Sequence, residues 1–232
     1  MNTNKIERLI AMAQRLMERS HDPIHNLSHV ERVSVYATDI AREININEQD
    51  IVALNIAALW HDVARGITKR PSMIWMVLID DMVSAIMLWF ATLRFGLFGS
   101  VAGTACRLIL CKSLGTGKIF TKVFLRKKNR TLLNILTDAD RLDTLNIDRF
   151  NEACALAETS ALYTLGYRLL VWFNLHSNYL KMHTEAARKK LGALIRELIH
   201  WMQKIEVRAW HIHQFSADWV KRTEIAFYHL LE

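Results

Sequence analysis

Three features of this 232-residue chain predict an all-α fold. Apolar residues recur at spacings of three and four over long stretches, the period of an amphipathic helix and not the alternation of a strand. Only two prolines, Pro23 and Pro71, and eight glycines are present, too few turn-makers for a β-sandwich or barrel, which needs them at roughly every tenth position. Hydrophobic residues make up 51% of the chain, enough for a sizeable core at this length. The expectation is one helical domain over residues 1–232, with no repeat, low-complexity tract or Gly/Ser linker dividing it.

The elements follow in order. Ile6, Leu9, Ile10, Ala13, Leu16 and Met17 form one stripe, which predicts a first helix over 3–19. Ser20-His21-Asp22-Pro23 ends it, because proline restricts the residue before it and cannot continue the helical hydrogen-bond ladder. The stripe resumes with Val30, Val33, Ala37, Ile40 and Ala41, so a second helix is expected from about His29 to Ile44, with Ser28 as its N-cap and Glu31 three residues on. Asn47, followed by Glu48 and Asp50, opens a third helix through Ile51, Leu54, Ala58 and Leu59 into Trp60-His61-Asp62. Towards the C-terminus, the stripe Ala187, Leu191, Leu194, Ile195, Leu198 and Met202 predicts a helix over 184–205, and a last one is expected from Ser216 to Leu231.

Residues 73–111 are strongly apolar, with Asp80, Asp81, Arg94 and Arg107 as their charges. A membrane span needs about 20 apolar residues, but the two aspartates fall near the middle of the window and each costs roughly 3 kcal/mol at a bilayer centre. A spanning helix is therefore not expected. A buried helix, a lid, a subunit interface in a homo-oligomer or a peripheral contact with the inner face of a membrane all remain open, and the segment to about residue 115 reads as a hydrophobic helical insertion.

The first 20 residues alternate charged and apolar positions and lack the apolar core and cleavage site of a secretory signal, so they read as part of the fold. The three cysteines, Cys106, Cys111 and Cys154, form neither a disulfide framework nor a CxxC metal site, which points to a reducing, cytoplasmic setting. A net charge of +7 concentrates anions near the surface, be they nucleotide, nucleic acid or acidic lipid. The seven tryptophans are scattered and not interleaved with the basic run Arg126-Lys127-Lys128-Asn129-Arg130, so a nucleic-acid stacking platform is not indicated. Gly115-Thr116-Gly117-Lys118 echoes a P-loop end, but Lys112 stands where the first glycine belongs and Ile119 replaces the Ser or Thr, so that motif is rejected.

Three pieces of sequence carry chemistry together. They are HNLSHVERV at His25–Val33, AALWHDVA at Ala57–Ala64 and LTDADRLDTLN at Leu136–Asn146. In this order and rough spacing they resemble the signatures of the HD superfamily of metal-dependent phosphohydrolases, over about residues 20–150. The resemblance implies a helical HD domain in which one divalent metal ion (Mn, Mg, Co, Ni or Fe) is held by His29, His61, Asp62 and Asp140. It also implies hydrolysis of a nucleotide or related small phosphate ester, with Asp62 and the metal activating water. A mixed imidazole and carboxylate set suits the middle of the divalent series. His25, Asp138 and Asp143 would orient the ligands, while Arg32, Arg65, Lys69 and Arg141 are the candidates to balance phosphate charge.

Residues 63–139 contain neither histidine nor glutamate. Members with two metals add histidines in that interval, so a single metal is expected, and the glutamate that some single-metal members use as acid or base is missing. Asp80 and Asp81 are the only acids there before the closing motif. Folded over the site they would serve as proton-transfer groups; on an exposed helix face they would be ordinary solvated acids. The second functional reading is accordingly a non-catalytic HD module that senses or binds a partner. His211 and His213 lie far from the motifs and read as surface or core histidines.

Overall fold

A computed structural model describes residues 3–68, 79–113, 117–176 and 178–231. Among them are twelve α-helices, three short 3-10 turns and no strand, so the protein is all-α. Its contacts resolve two compact units, residues 1–140 and 141–232.

The first unit is built around α3 (Glu48–Trp60), whose residues Ile51, Ala53, Leu54 and Ile56–Trp60 are buried on nearly every side. A helix apolar all round belongs at the centre, and α1 (Thr3–Met17), α2 (Leu27–Glu43), α4 (Asp80–Arg94) and α5 (Ser100–Lys112) pack against it. Trp60 is fully buried and its indole N–H donates to the Leu9 carbonyl of α1 at 3.2 Å. α2 and α3 form a hairpin. Asn45 takes the left-handed conformation at φ 58°, and Ile46 N–H returns to the Ala41 carbonyl at 2.9 Å while Asn45 N–H reaches Arg42 at 3.0 Å. That pair of hydrogen bonds closes the carbonyl end of α2, and Asn47 then caps α3 by accepting from Asp50 N–H, as its sequence position predicts. The cap of α2 is Asn26, whose side chain accepts from His29 N–H; Ser28, expected in that role, lies inside the helix.

After α3 a 3-10 turn, Val63–Ile67, passes close to α1. A Cβ on Gly66 would stand 2.7 Å from the Leu16 carbonyl oxygen, so only glycine permits this approach. α4 is tied to the turn by Ser84, whose hydroxyl accepts from Ala64 N–H at 3.0 Å. α5 packs on α4 and on α6 (Gly117–Phe124), and α7 (Arg130–Asp143) carries the closing motif in helical form. The expected apolar insertion is thus described from residue 79 onwards as α4 and α5, with 73–78 outside the described residues. Among the described residues no helix is long and apolar enough to cross a membrane.

The second unit comprises α8 (Ile147–Ala157), α9 (Ala161–His176), α10 (Glu185–Met202), α11 (Ile205–Gln214) and α12 (Ala217–His229). α10 and α12 match the two C-terminal helices predicted from the stripe. An aromatic cluster runs through it, with Phe150, Tyr167, Trp201 and His211 buried and Trp210, Phe215 and Trp219 half-buried, in edge and stacked ring contacts.

Candidate metal centre

The hairpin of α2 and α3 explains how His29 and His61 meet. His29 opens α2 and His61 ends α3, so two antiparallel helices of similar length return the chain to the same level. Both side chains are fully buried, with ring centroids 5.3 Å apart. Asp62 follows His61 directly, and Asp140 arrives on α7. Asp62 Oδ2 lies 3.2 Å from His29 Nε2 and 3.5 Å from His61 Nε2, while Asp140 Oδ1 lies 3.6 Å from each of the two imidazole nitrogens. The four residues whose convergence the sequence predicts are together.

The tautomer of His61 can be read from its partners. Nδ1 is 2.7 Å from the Ala58 carbonyl, an acceptor, so Nδ1 carries the proton. Nε2 is buried and has no hydrogen-bond partner, and its nearest polar neighbours are carboxylate oxygens. A lone pair facing carboxylates needs a cation between them or a proton of its own. In the protein alone the proton supplies this: burial opposes the charged imidazolium, but Asp62 and Asp140 outweigh it and the pKa is raised. His29, His61 and Asp140 each offer a ligand atom, all within 4.8 Å of one another, so this group can hold a metal ion. Two imidazoles with carboxylate oxygen suit a borderline divalent cation.

Two further cations close the site, and each bridges one pocket aspartate to one aspartate of α4. Arg65 donates to Asp80 Oδ2 from Nε at 2.9 Å and from Nη2 at 2.5 Å, and its Nε lies 3.6 Å from Asp62 Oδ1. Lys112 Nζ lies 2.9 Å from Asp140 Oδ2 and 3.5 Å from Asp81 Oδ1. Asp80 and Asp81 are therefore not solvated acids: they are 4% and 5% exposed and fold over the site. Electrostatics follow from this geometry. Burial raises the Asp62 and Asp140 carboxyls, but the opposing pull of His61 and Arg65 on the first, and of Lys112, His61 and His29 on the second, holds both well below the usual carboxylate range. Burial works against the Lys112 charge, yet Asp140, Asp81 and Asp62 raise its pKa well above normal. Asp81 behaves differently, because burial exceeds the stabilisation from Lys112 and lifts its pKa to about 6.

His25 sits at the rim, its ring 5.6 Å from that of His29. Its Nδ1 lies 3.2 Å from Asp22 Oδ2 and 3.4 Å from Arg65 Nη1, and burial first, then Arg65, push its pKa down to about 4. Asp22 also accepts from the Ile24 and His25 backbone at 3.0 and 3.2 Å, a turn that fixes the entry to α2. Arg32 lies on α2, half-buried, and Asp138 is fully buried on α7. Two predicted residues belong to the second unit and have partners within it. Arg141 donates to the Lys181 carbonyl at 2.9 Å and lies over the Tyr179 ring, and Asp143 pairs with Arg149 at 3.2 Å. Lys69 lies outside the described residues. Of the basic run, Arg126, Lys127 and Arg130 are exposed. Among the described residues, Lys112 is a close partner of the cluster that no sequence motif announces. Its signal was that it is a lone lysine ending an apolar helix.

Comparison with protein-family models, with curated proteins and with solved structures gives no match.

Proposed function

We propose that the first unit is an HD-type metal-dependent phosphohydrolase acting on a nucleotide or related small phosphate ester. The observation that carries this reading is the buried Nε2 of His61, fixed by the Ala58 carbonyl so that its lone pair faces His29, Asp62 and Asp140. His29, His61, Asp62 and Asp140 would be the ligands. A divalent ion bound there supplies Lewis acidity and lowers the pKa of water to near neutrality.

The chain's own groups divide the remaining work. Asp62 accepts the proton of the water whose oxygen forms the new P–O bond. Asp81, buried and able to hold a proton near neutrality, gives one to the oxygen that leaves as the ester P–O bond breaks. Arg65 and Lys112 stand beside both steps with fixed positive charge and neutralise the charge building on the phosphoryl oxygens.

The test is a screen of the purified protein against nucleotides and model phosphodiesters with Mn²⁺, Mg²⁺, Co²⁺ and Ni²⁺ added singly. Turnover is expected with at least one ion, with loss of metal and activity together in Asp62→Ala and Asp140→Ala. Asp81→Asn is expected to keep the metal and lose roughly 100-fold or more in kcat. Full activity in Asp140→Ala removes the proposal.

One observation favours the second reading, a module that binds a partner without catalysis. Lys112 already neutralises Asp140 at 2.9 Å, so an ammonium stands where a metal's charge is wanted. On that reading calorimetric titration with each ion gives no heat, and Lys112→Met creates a metal affinity the parent lacks.

A further inference from the structure

Two unusual features of the first unit fall on the same stretch of chain. Between Met82 and Thr137 there are nine lysines and arginines, from Arg94 to Arg130, and no aspartate or glutamate. Most of the unit's exposed large apolar residues are there too. α4 buries Ala85, Leu88 and Ala91 and turns Ile86, Trp89, Phe90 and Leu93 outwards, with Trp89 52% and Phe90 59% exposed. α6 turns out Ile119, Val123 and Phe124, at 64%, 67% and 48% exposure, with exposed Lys122 among them and exposed Arg126, Lys127 and Arg130 directly after.

An apolar helix face in water costs about 25 cal/mol for each Å² left uncovered, and large exposed apolar patches mark places where something docks. The charge says what kind of surface that is. Apolar and aromatic residues beside lysine and arginine, with no acid in the same stretch and only Asp50 of α3 sharing a cleft with Arg107 and Arg126, make a composition that settles into an anionic lipid interface: rings and aliphatic groups enter the headgroup boundary and cations stay at the phosphates. A protein partner would need a matching acidic and apolar face. A nucleic acid would use the cations but leave the aliphatic residues Ile119 and Val123 unsatisfied. The second unit supplies a contrast to α6 and its basic run, since α9 exposes Leu162, Leu165, Leu169, Trp172 and Phe173 but has Arg168 as its one Lys or Arg.

We propose that α6 with the basic run after it, supported by the outer stripe of α4, docks the protein on a membrane surface rich in anionic phospholipid. α6 is too short to cross and lies in the plane of the interface, its apolar side in the headgroup boundary. This inference stands apart from the metal-site reading, because it needs neither a bound ion nor turnover.

The test is co-sedimentation of the full chain with vesicles of phosphatidylcholine alone or with 30% phosphatidylglycerol, roughly, at low and high salt. Binding is expected to the anionic vesicles only, weakening as salt screens the headgroups. Neutralising Lys122, Arg126 or Lys127 to Gln lowers the partition coefficient about fivefold for each residue changed. The double variant Val123→Glu with Phe124→Glu, both exposed in the folded protein, abolishes binding while circular dichroism stays unchanged. Leu165→Glu with Leu169→Glu on α9 leaves binding intact. The proposal is overturned by no binding to either vesicle, by equal binding to neutral vesicles, by loss of binding in the α9 variant, or by a polynucleotide that binds more tightly than anionic vesicles and loses nothing in the Val123/Phe124 variant.

Discussion

His61 of the first unit and His211 of the second begin alike and end differently. Both are fully buried near a helix C-terminus, and both anchor Nδ1 to a backbone carbonyl of their own helix at 2.7 Å, Ala58 for one and Val207 for the other. The opposite nitrogen separates them. His211 Nε2 meets the Tyr167 hydroxyl at 2.7 Å inside a nest of aromatic rings, and burial lowers its pKa. His61 Nε2 faces the carboxylates of Asp62 and Asp140 at 3.5 and 3.6 Å, with His29 beside them, and its pKa is raised. Burial and anchoring are thus shared by a core histidine and a candidate ligand. What the free nitrogen faces decides which of the two it is.

The strongest way to break this contrast is to change what His61 faces. Lys112→Met removes the cation shared by Asp140 and Asp81 and leaves two buried carboxylates in excess. Breaking such a pair costs about 3 kcal/mol, measured by urea unfolding without metal. Added Mn²⁺ is expected to restore most of it by binding the folded state alone. Failure of every divalent ion to restore stability would place His61 with His211 as a structural residue. The parallel change His211→Ala is expected to cost about 2–3 kcal/mol, from the cavity and the loss of one of the Tyr167 hydroxyl's two side-chain partners, His211 and Cys154. No metal should rescue it, and the metal affinity of the first unit should stay as it was.

Acid separates the two kinds of histidine by sign. His25 and His211 have depressed pKa values, His25 at about 4. Each contributes stability that is complete above the unfolded value near 6.5 and lost as pH falls towards the folded one. For His25 that amounts to about 3 kcal/mol between pH 7 and pH 4. His61 is raised, so its attraction to Asp62 and Asp140 stabilises the metal-free protein below pH 6.5 and fades as pH rises through the folded value. A metal bound there would take the place of that proton, and its apparent affinity is expected to fall about tenfold per pH unit below the His61 pKa. Proton release on Mn²⁺ binding, measured by calorimetry in two buffers of different ionisation enthalpy, checks this directly.

The all-α class was legible because helix period is written in local sequence, while the meeting of His29, His61, Asp62 and Asp140 was expected from the resemblance of three motifs, in their order, to the HD superfamily. The roles of Asp80, Asp81 and Lys112 were not legible. Two adjacent acids on an apolar helix read equally well as solvated or buried, and only their pairing with Arg65 and Lys112, 15 and 31 residues away in the chain, decides it. Lys112 itself carries no motif, since a lysine at a helix C-terminus is ordinary helix chemistry. Arg141 follows Asp140 by one helical step, which turns its side chain by about 100°, whereas Asp143, three residues on, shares a face with Asp140; neither pairing is written in the local motif. Arg141 contacts Lys181 and Tyr179, and Asp143 pairs with Arg149.

The smallest effect concerns the hairpin that sets the comparison up. Asn26 accepts from His29 N–H at 3.0 Å and donates to the Pro23 carbonyl at 2.8 Å, so it fixes the helix start that carries the first imidazole. Asn26→Ala is expected to cost about 1 kcal/mol of stability, and Asn26→Ser, which can still accept at the cap, only part of that. If His29 is a ligand, loosening its backbone must also weaken metal binding, by about 10-fold as for other groups that orient ligands. The serine variant should recover much of that affinity. A stability loss with metal binding untouched would mean that His29 is packed beside His61 without sharing its work, and that the set of ligands is smaller than four.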